Sequence, residues 1–214
     1  MNMKIAIDGP SGAGKSTIAK KLSEILKIPY LDTGAIFRTV ALALVEKGVD
    51  LKDTSEVKQK VSEIDVRLET DRLIVDGVDV TDHIRTDEIS AAASTVSQYP
   101  TVRAYVHEIE MKASQGAVIM DGRDIGTVVL PNADFKFFIT ASDTVRARRR
   151  VEQLGLDLSE YESVLSAIRK RDKQDQTRTE APLTKAPDAI LINTDNVTVE
   201  ESVAEILTYI RGVK

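Results

Sequence analysis

The chain contains no cysteine among its 214 residues. That excludes a disulfide framework, a thiolate nucleophile and a zinc–thiolate centre. Tryptophan is also absent, and aromatic residues make up only 4% of the sequence. Formal net charge is −5, which argues against a long polyanion such as duplex DNA as the main ligand. An acidic chain this poor in aromatics also lacks the basic, base-stacking surface of an RNA-binding regulator. No apolar run is long enough to span a bilayer, and the first residues lack the basic-then-apolar pattern of a secretion signal. The expectation is a cytoplasmic protein with no nucleic-acid or membrane partner. The length suits one domain, or one core with inserted lobes, able to bury a sizeable core.

What is present begins at the N-terminus. An apolar run at residues 4–7 leads through Asp8 into Gly9, Pro10, Ser11, Gly12, Ala13, Gly14, Lys15, Ser16 and Thr17. A strand running into Gly-x-x-x-x-Gly-Lys-Ser is the phosphate-cradling P-loop. Glycines let the backbone wrap an anion without Cβ clashes, and the helix that follows aims its positive end at the same charge. In such a loop, Lys15 reaches the β- and γ-phosphates and Ser16 ligates Mg²⁺. The nine residues 9–17 are the expected ATP site.

Further strand-length apolar runs lie at residues 29–31, 117–120, 135–139 and 189–192, mostly separated by stretches of helical period. Ile18, Leu22, Ile25 and Leu26 form one predicted stripe, and Val102, Val106, Ile109 and Ala113 another. Thr198-x-x-Glu201 is a capping box before a last helix with Val203, Ile206, Leu207 and Ile210 on its apolar face. This alternation predicts an α/β fold with a parallel sheet covered on both faces, its site at the carboxyl ends of the strands. The rhythm breaks between residues 53 and 93. There, alternating runs flank Thr70-Asp71-Arg72 as a predicted hairpin, and Asp76-Gly77 turns the chain again. A breaker-rich stretch at 154–161 leads into a highly charged helix and reads as a mobile flap.

Three further groups follow strands or share a predicted helix. In residues 32–38, the Thr33 hydroxyl can cap the next helix and Arg38 lies on it; the alternative is a plain N-cap and a surface cation. At the end of the run 117–120, Asp121 is placed like a carboxylate that orders water on Mg²⁺, and Arg123 offers a fork for phosphate; the alternative is an ordinary Asp-Gly turn. Arg171, Asp175 and Arg178 are spaced to share a helix face, either as a solvated salt bridge or as cations that close over reacting phosphates. The basic runs 146–150 and 170–178 suit a small phosphate ligand or a solvated helix face.

Nearly end to end, these motifs resemble the bacterial cytidylate kinases, a family of nucleoside monophosphate kinases. The resemblance rests on the P-loop, on Thr33-Gly34-Ala35-Ile36-Phe37-Arg38, on Ala92-Ala93-Ser94, on Pro100-Thr101-Val102-Arg103, on Asp121-Gly122-Arg123-Asp124-Ile125-Gly126-Thr127-Val128-Val129, and on the segment from Arg171 to Leu183. It implies a P-loop kinase fold with a five-stranded parallel sheet flanked by helices, plus an inserted small α/β acceptor-binding lobe and a helical lid. The expected division is a core of residues 1–52, 94–150 and 182–214, an acceptor lobe of 53–93 and a lid of 151–181. The implied reaction carries phosphate from ATP·Mg²⁺ to CMP or dCMP in a monomer. The alternative is a P-loop kinase for another small acceptor, such as UMP or dTMP.

The resemblance also implies residue roles. Ser94, Arg103 and Asp124 meet the cytosine base, and Arg38 and Arg123 hold the acceptor phosphate. Asp175 meets the sugar, while Arg171 and Arg178 stabilise the transferring group beside Lys15. Thr33 and Phe37 complete the CMP-binding set, and Ser16 with Asp121, through water, the metal set. Phe37 stands where some members carry tyrosine, which removes a hydroxyl contact, and Thr33 where some carry serine. His83 and His107 are expected to be structural.

Overall fold

A computed structural model describes residues 2–69 and 72–212. The chain forms two compact units. One comprises the residues up to Leu31 together with those from Gly116 onward, and the other runs from Asp32 to Gln115.

The first unit is built on β1 (Lys4–Asp8), α1 (Lys15–Leu26) and β2 (Tyr30–Asp32), the last strand ending at the boundary. After the second unit come β6 (Val118–Gly122), β7 (Phe135–Thr140), α6 (Asp143–Leu154), α7 (Tyr161–Thr177), β8 (Ile190–Asn193) and α8 (Val199–Gly212). The five strands are ordered β2-β6-β1-β7-β8. β1 runs parallel to both β6 and β7, and β7 runs parallel to β8. Each sequence-predicted strand is therefore present.

The period of two along β1 divides the core. Ile5 and Ile7 join Ile18, Ala19 and Leu22 of α1, Val203, Ile206, Leu207 and Ile210 of α8, and Phe137 and Ile139 of β7. Ala6 faces the other way, with Val118, Met120, Ile125, Val129 and Leu130. A parallel sheet so covered reads as continuous apolar runs, which is why these strands were visible in the sequence. Full burial of a side chain such as Phe137 contributes ~2–3 kcal/mol.

The predicted helical stripes need two corrections. Ile25 is 48% exposed and Leu26 only partly buried, so α1 buries a narrower stripe. On α5 (Pro100–Ala113) of the second unit, Ala113 is exposed and Ile109 half-buried, while Glu110 is buried below Val102 and Val106. The step of four from Val106 reaches Glu110, and its charge hid it from a hydrophobic pattern. The capping box stands as expected: Thr198 N donates to Glu201 Oε2 at 2.7 Å, and Glu201 N to Thr198 Oγ1 at 3.1 Å.

The second unit holds α2 (Thr33–Glu46), α3 (Thr54–Val61), β3 (Val66–Glu69), β4 (Arg72–Val75), β5 (Val78–Asp79), α4 (Asp87–Val96) and α5. Its strands form a small antiparallel sheet ordered β3-β4-β5. The expected hairpin is there, with Val66 opposite Val75 and Glu69 opposite Arg72. Thr70 and Asp71 of its predicted turn lie outside the described residues. α2 packs against α4, burying Ile36, Val40 and Leu44 with Ile89, Ala93 and Val96. The segment 53–93 lies wholly inside this unit, which also takes in α2 and α5.

Candidate active site

The P-loop begins where β1 ends. Gly9 has φ 145°, and a Cβ there would stand 1.9 Å from the Ile139 carbonyl oxygen, so only glycine fits. Gly14, in the left-handed region, caps α1 with no side-chain hydrogen bond. The first amides of that helix are thus left to an anion. Carbonyls of the loop are engaged elsewhere. Lys15 Nζ donates to Pro10 O at 2.8 Å, Arg146 Nη1 to Ser11 O at 3.0 Å and Thr194 Oγ1 to Ala13 O at 3.0 Å.

Lys15 is 6% exposed. Burial, reinforced by the Arg123 charge, lowers its pKa to about 7, against the pull of Asp121 and Asp8. A bound polyphosphate would supply the counter-charge that this ammonium needs.

Asp121 is buried near the end of β6, its position paired with Ile7 across the sheet. Its two oxygens have different partners: Ser16 Oγ donates to Oδ2 at 2.9 Å and Tyr30 OH to Oδ1 at 2.6 Å. A hydroxyl beside a carboxylate is a hard oxygen donor set. Among the described residues, no group of three or more His, Cys, Asp or Glu could hold a metal. Mg²⁺ does not need such a cage, because it is usually held by one or two protein groups plus phosphate oxygens and water. Ser16 and Asp121 fit that demand.

Next along the chain, Arg123 and Asp124 cross-pair with the end of α7. Arg123 Nε donates to Asp175 Oδ2 at 2.9 Å, and Arg178 Nη2 to Asp124 Oδ1 at 3.2 Å. Arg178 Nη1 lies 4.0 Å from Asp175 Oδ1. Asp124, Asp175 and Arg178 are all buried. Burial pushes the Asp175 carboxyl up, but Arg123, Arg171 and Arg178 outweigh it and hold the group below its ordinary value. Burial likewise works against the Arg123 charge and is outweighed by Asp175, so this guanidinium stays charged with a raised pKa. One expectation is corrected here: α7 ends at Thr177, and Arg178 is extended (φ −62°, ψ 143°) instead of sharing the helix face with Arg171 and Asp175. The side chain still reaches Asp175. Its Nε donates to Ala181 O at 2.8 Å, and Leu183 N returns to Asp175 O at 2.8 Å.

Asp8 was not singled out in the sequence. Its carboxylate accepts from Ile125 N and Gly126 N, both at 2.7 Å, and so anchors the turn that follows Asp124. Burial raises its pKa to about 6, with Asp124 adding to the rise and the two backbone donors opposing it. The folded state thus binds this proton more tightly than the unfolded chain, where the value is 3.8. The stability it contributes is full below pH ~4 and is lost as pH rises through ~6, a fall of up to ~3 kcal/mol. Urea denaturation of wild type and Asp8→Asn between pH 4 and 7 checks this. The wild-type stability should fall relative to the variant, and parallel curves would contradict the assignment.

Five expected site residues belong to the second unit: Thr33, Phe37 and Arg38 on α2, Ser94 on α4 and Arg103 on α5. Thr33 is not the N-cap. Asp32 is, accepting from Ala35 N at 2.9 Å, and Thr33 is the first helical residue. The same Asp32 accepts from Arg38 Nη2 at 2.8 Å, with Arg85 Nη2 at 3.8 Å. The Arg103 guanidinium carbon lies 5.4 Å from the centroid of the Phe37 ring, within cation–π range. Arg103 Nη1 also donates to Ser97 O at 3.3 Å. Phe37 therefore supplies a stacking surface for Arg103 where a tyrosine would add a hydroxyl. His107 Nδ1 lies 3.7 Å from Glu110 Oε2 on the same helix, and His83 sits in a short turn before α4.

The profile described as Cytidylate kinase matches residues 5–212. The chain belongs to the cytidylate kinase family. It is 47% identical to a cytidylate kinase of Caldanaerobacter subterraneus subsp. tengcongensis, over 99% of this chain and 96% of that one. It is 44% identical to a cytidylate kinase of Carboxydothermus hydrogenoformans, over 97% of each. A shikimate kinase of Bacteroides thetaiotaomicron superposes with a TM-score of 0.51 at 12% identity, over 98% of each chain, a likeness of fold alone.

Tyr30, Asp8 and Arg146, all of the first unit, were missed as contributors to this site. Each acts on a group 26 to 135 residues away, which leaves no local pattern. Only Asp8 carried a usable signal: a carboxylate ending an apolar strand immediately before the P-loop.

Proposed function

We propose that the protein transfers the γ-phosphoryl group of ATP to CMP or dCMP, giving ADP and CDP or dCDP, as a step of pyrimidine nucleotide metabolism. The observation that carries this reading is the cross-paired set of half-buried Arg123 with buried Asp124, Asp175 and Arg178 in the same compact unit as the P-loop. Opposite charges that already satisfy one another can open to a ligand that presents both an anion and a base amino group. Membership of the cytidylate kinase family supports the same choice of acceptor.

In this reading, the backbone N–H groups of residues 11–17 and the Lys15 ammonium bind the β- and γ-phosphates, and Ser16 would hold Mg²⁺ directly with Asp121 reaching it through water. Bound there, the ion would supply positive charge against the β- and γ-phosphates. Arg38 and Arg123 orient the CMP phosphate so that one of its oxygens attacks the γ-phosphorus in line. The new P–O bond forms as the bond to the β-phosphate oxygen breaks, and ADP leaves with that electron pair. Arg123, Arg171 and Arg178 stabilise charge spread over the equatorial oxygens, and no side chain need act as a strong base. Residues 53–93, with the helices around them, serve as the acceptor lobe, and 151–181 as a lid that excludes water.

Base choice follows from donor and acceptor matching. Cytosine has an N4 amino donor that the Asp124 carboxylate accepts, and its O2 and N3 take hydrogen bonds from Arg103 and Ser94. Uracil would set a carbonyl against that carboxylate, a mismatch of a few kcal/mol. Asp175 meets the 3′-hydroxyl, which ribose and deoxyribose share. The protein is read as a cytoplasmic monomer on the family resemblance. Among the described residues, no helix is long and apolar enough to cross a membrane.

Asp124→Ala tests the reading. The ratio of kcat/KM for CMP over UMP should fall by about 10²-fold or more, with UMP turnover little changed. An unchanged ratio would remove Asp124 from base recognition.

A further inference from the structure

Arg146, on α6, has no part in the reaction as described above, yet it is only 4% exposed and its guanidinium is almost fully engaged. Nε donates to Ala141 O at 3.0 Å. Nη1 donates to Ser11 O at 3.0 Å and to Asp172 Oδ1 at 3.1 Å, and Nη2 to Asp172 Oδ2 at 2.6 Å. Four of its five N–H groups are thereby used. The backbone at Gly12 has been drawn close to it: a Cβ there would stand 3.3 Å from Arg146 Cβ.

We infer that Arg146 is a positioning residue for phosphoryl transfer, which joins the phosphate cradle to the helix that carries Arg171 and Asp175. At one end it holds the outer, carbonyl side of the P-loop at Ser11. Thr194 does the same at Ala13 and is itself held by Arg149, which donates to Thr194 Oγ1 at 3.1 Å and also to Thr194 O. A loop whose carbonyls are tied outward keeps its amides available for anions. At the other end, the bidentate pair fixes Asp172 on α7, next to Arg171 and one turn before Asp175. Arg146 carries no spare charge toward substrate, because Asp172 balances it. Its effect is geometric, and a lysine cannot reproduce a fork that bonds two backbone carbonyls and a carboxylate at once.

The two ends make separable demands. Donation to Ser11 should set nucleotide affinity in the absence of CMP. Donation to Asp172 should set the rate of transfer once both substrates are bound. This inference rests on the kinase reading for the second demand but not for the first.

The experiment compares wild type, Arg146→Lys, Arg146→Met, Asp172→Asn and the double variant Arg146→Met/Asp172→Asn. ATP·Mg²⁺ affinity is read by calorimetry without CMP, turnover at saturating ATP and CMP, and folding by thermal denaturation. Both Arg146 variants should weaken ATP binding by about tenfold and also slow turnover. Asp172→Asn should leave ATP affinity within about twofold of wild type and cut kcat by about tenfold or more. The double variant should be no slower than Arg146→Met alone, the non-additivity expected of one shared contact. Folded Arg146 variants with wild-type affinity and turnover would overturn the inference. So would Asp172→Asn weakening ATP binding as much as Arg146→Met does. A wild type that binds ATP but does not phosphorylate CMP would overturn the kinase reading, and the affinity comparison would still test the hold on Ser11.

Discussion

Lys15→Met should abolish phosphoryl transfer, lowering kcat by at least about 10³-fold, or ~4 kcal/mol of transition-state stabilisation. The same substitution should leave the fold intact and raise its melting temperature at neutral pH. The two effects have one cause. Lys15 is buried and faces Arg123, so its pKa falls to about 7 from 10.5. Between those values, the unfolded chain binds more protons than the folded one, and wild-type stability should rise as pH rises from ~7 toward ~10. Methionine has comparable length and no charge to desolvate, so the variant should show no such rise. In the proposed role, stability is sacrificed at this position to keep a cation where polyphosphate would arrive. Paired measurements of kcat and of denaturation at pH 7 and 9 check both halves. Retained turnover would remove Lys15 from the phosphate site, and a less stable variant would contradict its electrostatic strain.

Gly9→Ala should be the most damaging single methyl group in the first unit. The added carbon would meet the backbone oxygen of Ile139 at 1.9 Å, and no rotamer can relieve a clash with a strand carbonyl. Either β7 moves away from the end of β1, or the P-loop leaves its path. A loss of ~3 kcal/mol is expected from the strained backbone alone, with nucleotide binding lost as well. Gly48→Ala is the proper control. Gly48 also has positive φ, 71°, but nothing lies within 4 Å of the added carbon, so ~1 kcal/mol and no change in ATP affinity are expected. Chemical denaturation and ATP titration of both variants separate steric conflict from conformational preference. Equal losses at the two positions would mean that the Ile139 contact does not matter.

The fold was legible wherever local pattern and burial agree. The central strands β1 and β6 are buried on both faces, so they stand out as apolar runs. The last helix announces its start through Thr198 and Glu201, whose reciprocal bonds are present. Legibility failed where a polar residue took an interior place or an apolar one stayed outside. Glu110 interrupts the stripe of α5, while Ile25 lies 48% exposed on α1. At the site, the P-loop and the segment Asp121 to Asp124 were readable because contiguous residues act together there. Arg146 was not readable: it sits in the run Arg146 to Arg150, which looks like a solvated face, although its partners Ser11 and Asp172 lie 135 and 26 residues away. Tyr30 and Asp121, 91 residues apart, are hidden in the same way. Arg178 was read as helical because a spacing of seven suits a helix face. The helix stops one residue earlier, and its side chain reaches Asp175 from extended backbone.

The most direct test of the central claim is ADP formation from ATP·Mg²⁺ by the wild-type protein, with CMP, dCMP, UMP, AMP, GMP and dTMP in separate reactions beside a control without acceptor. Fast turnover confined to CMP and dCMP is the expected result, and it would support Ser94, Arg103 and Asp124 as the base-reading set. Equal turnover with UMP or dTMP, or ADP released at the same rate in every reaction, would contradict it.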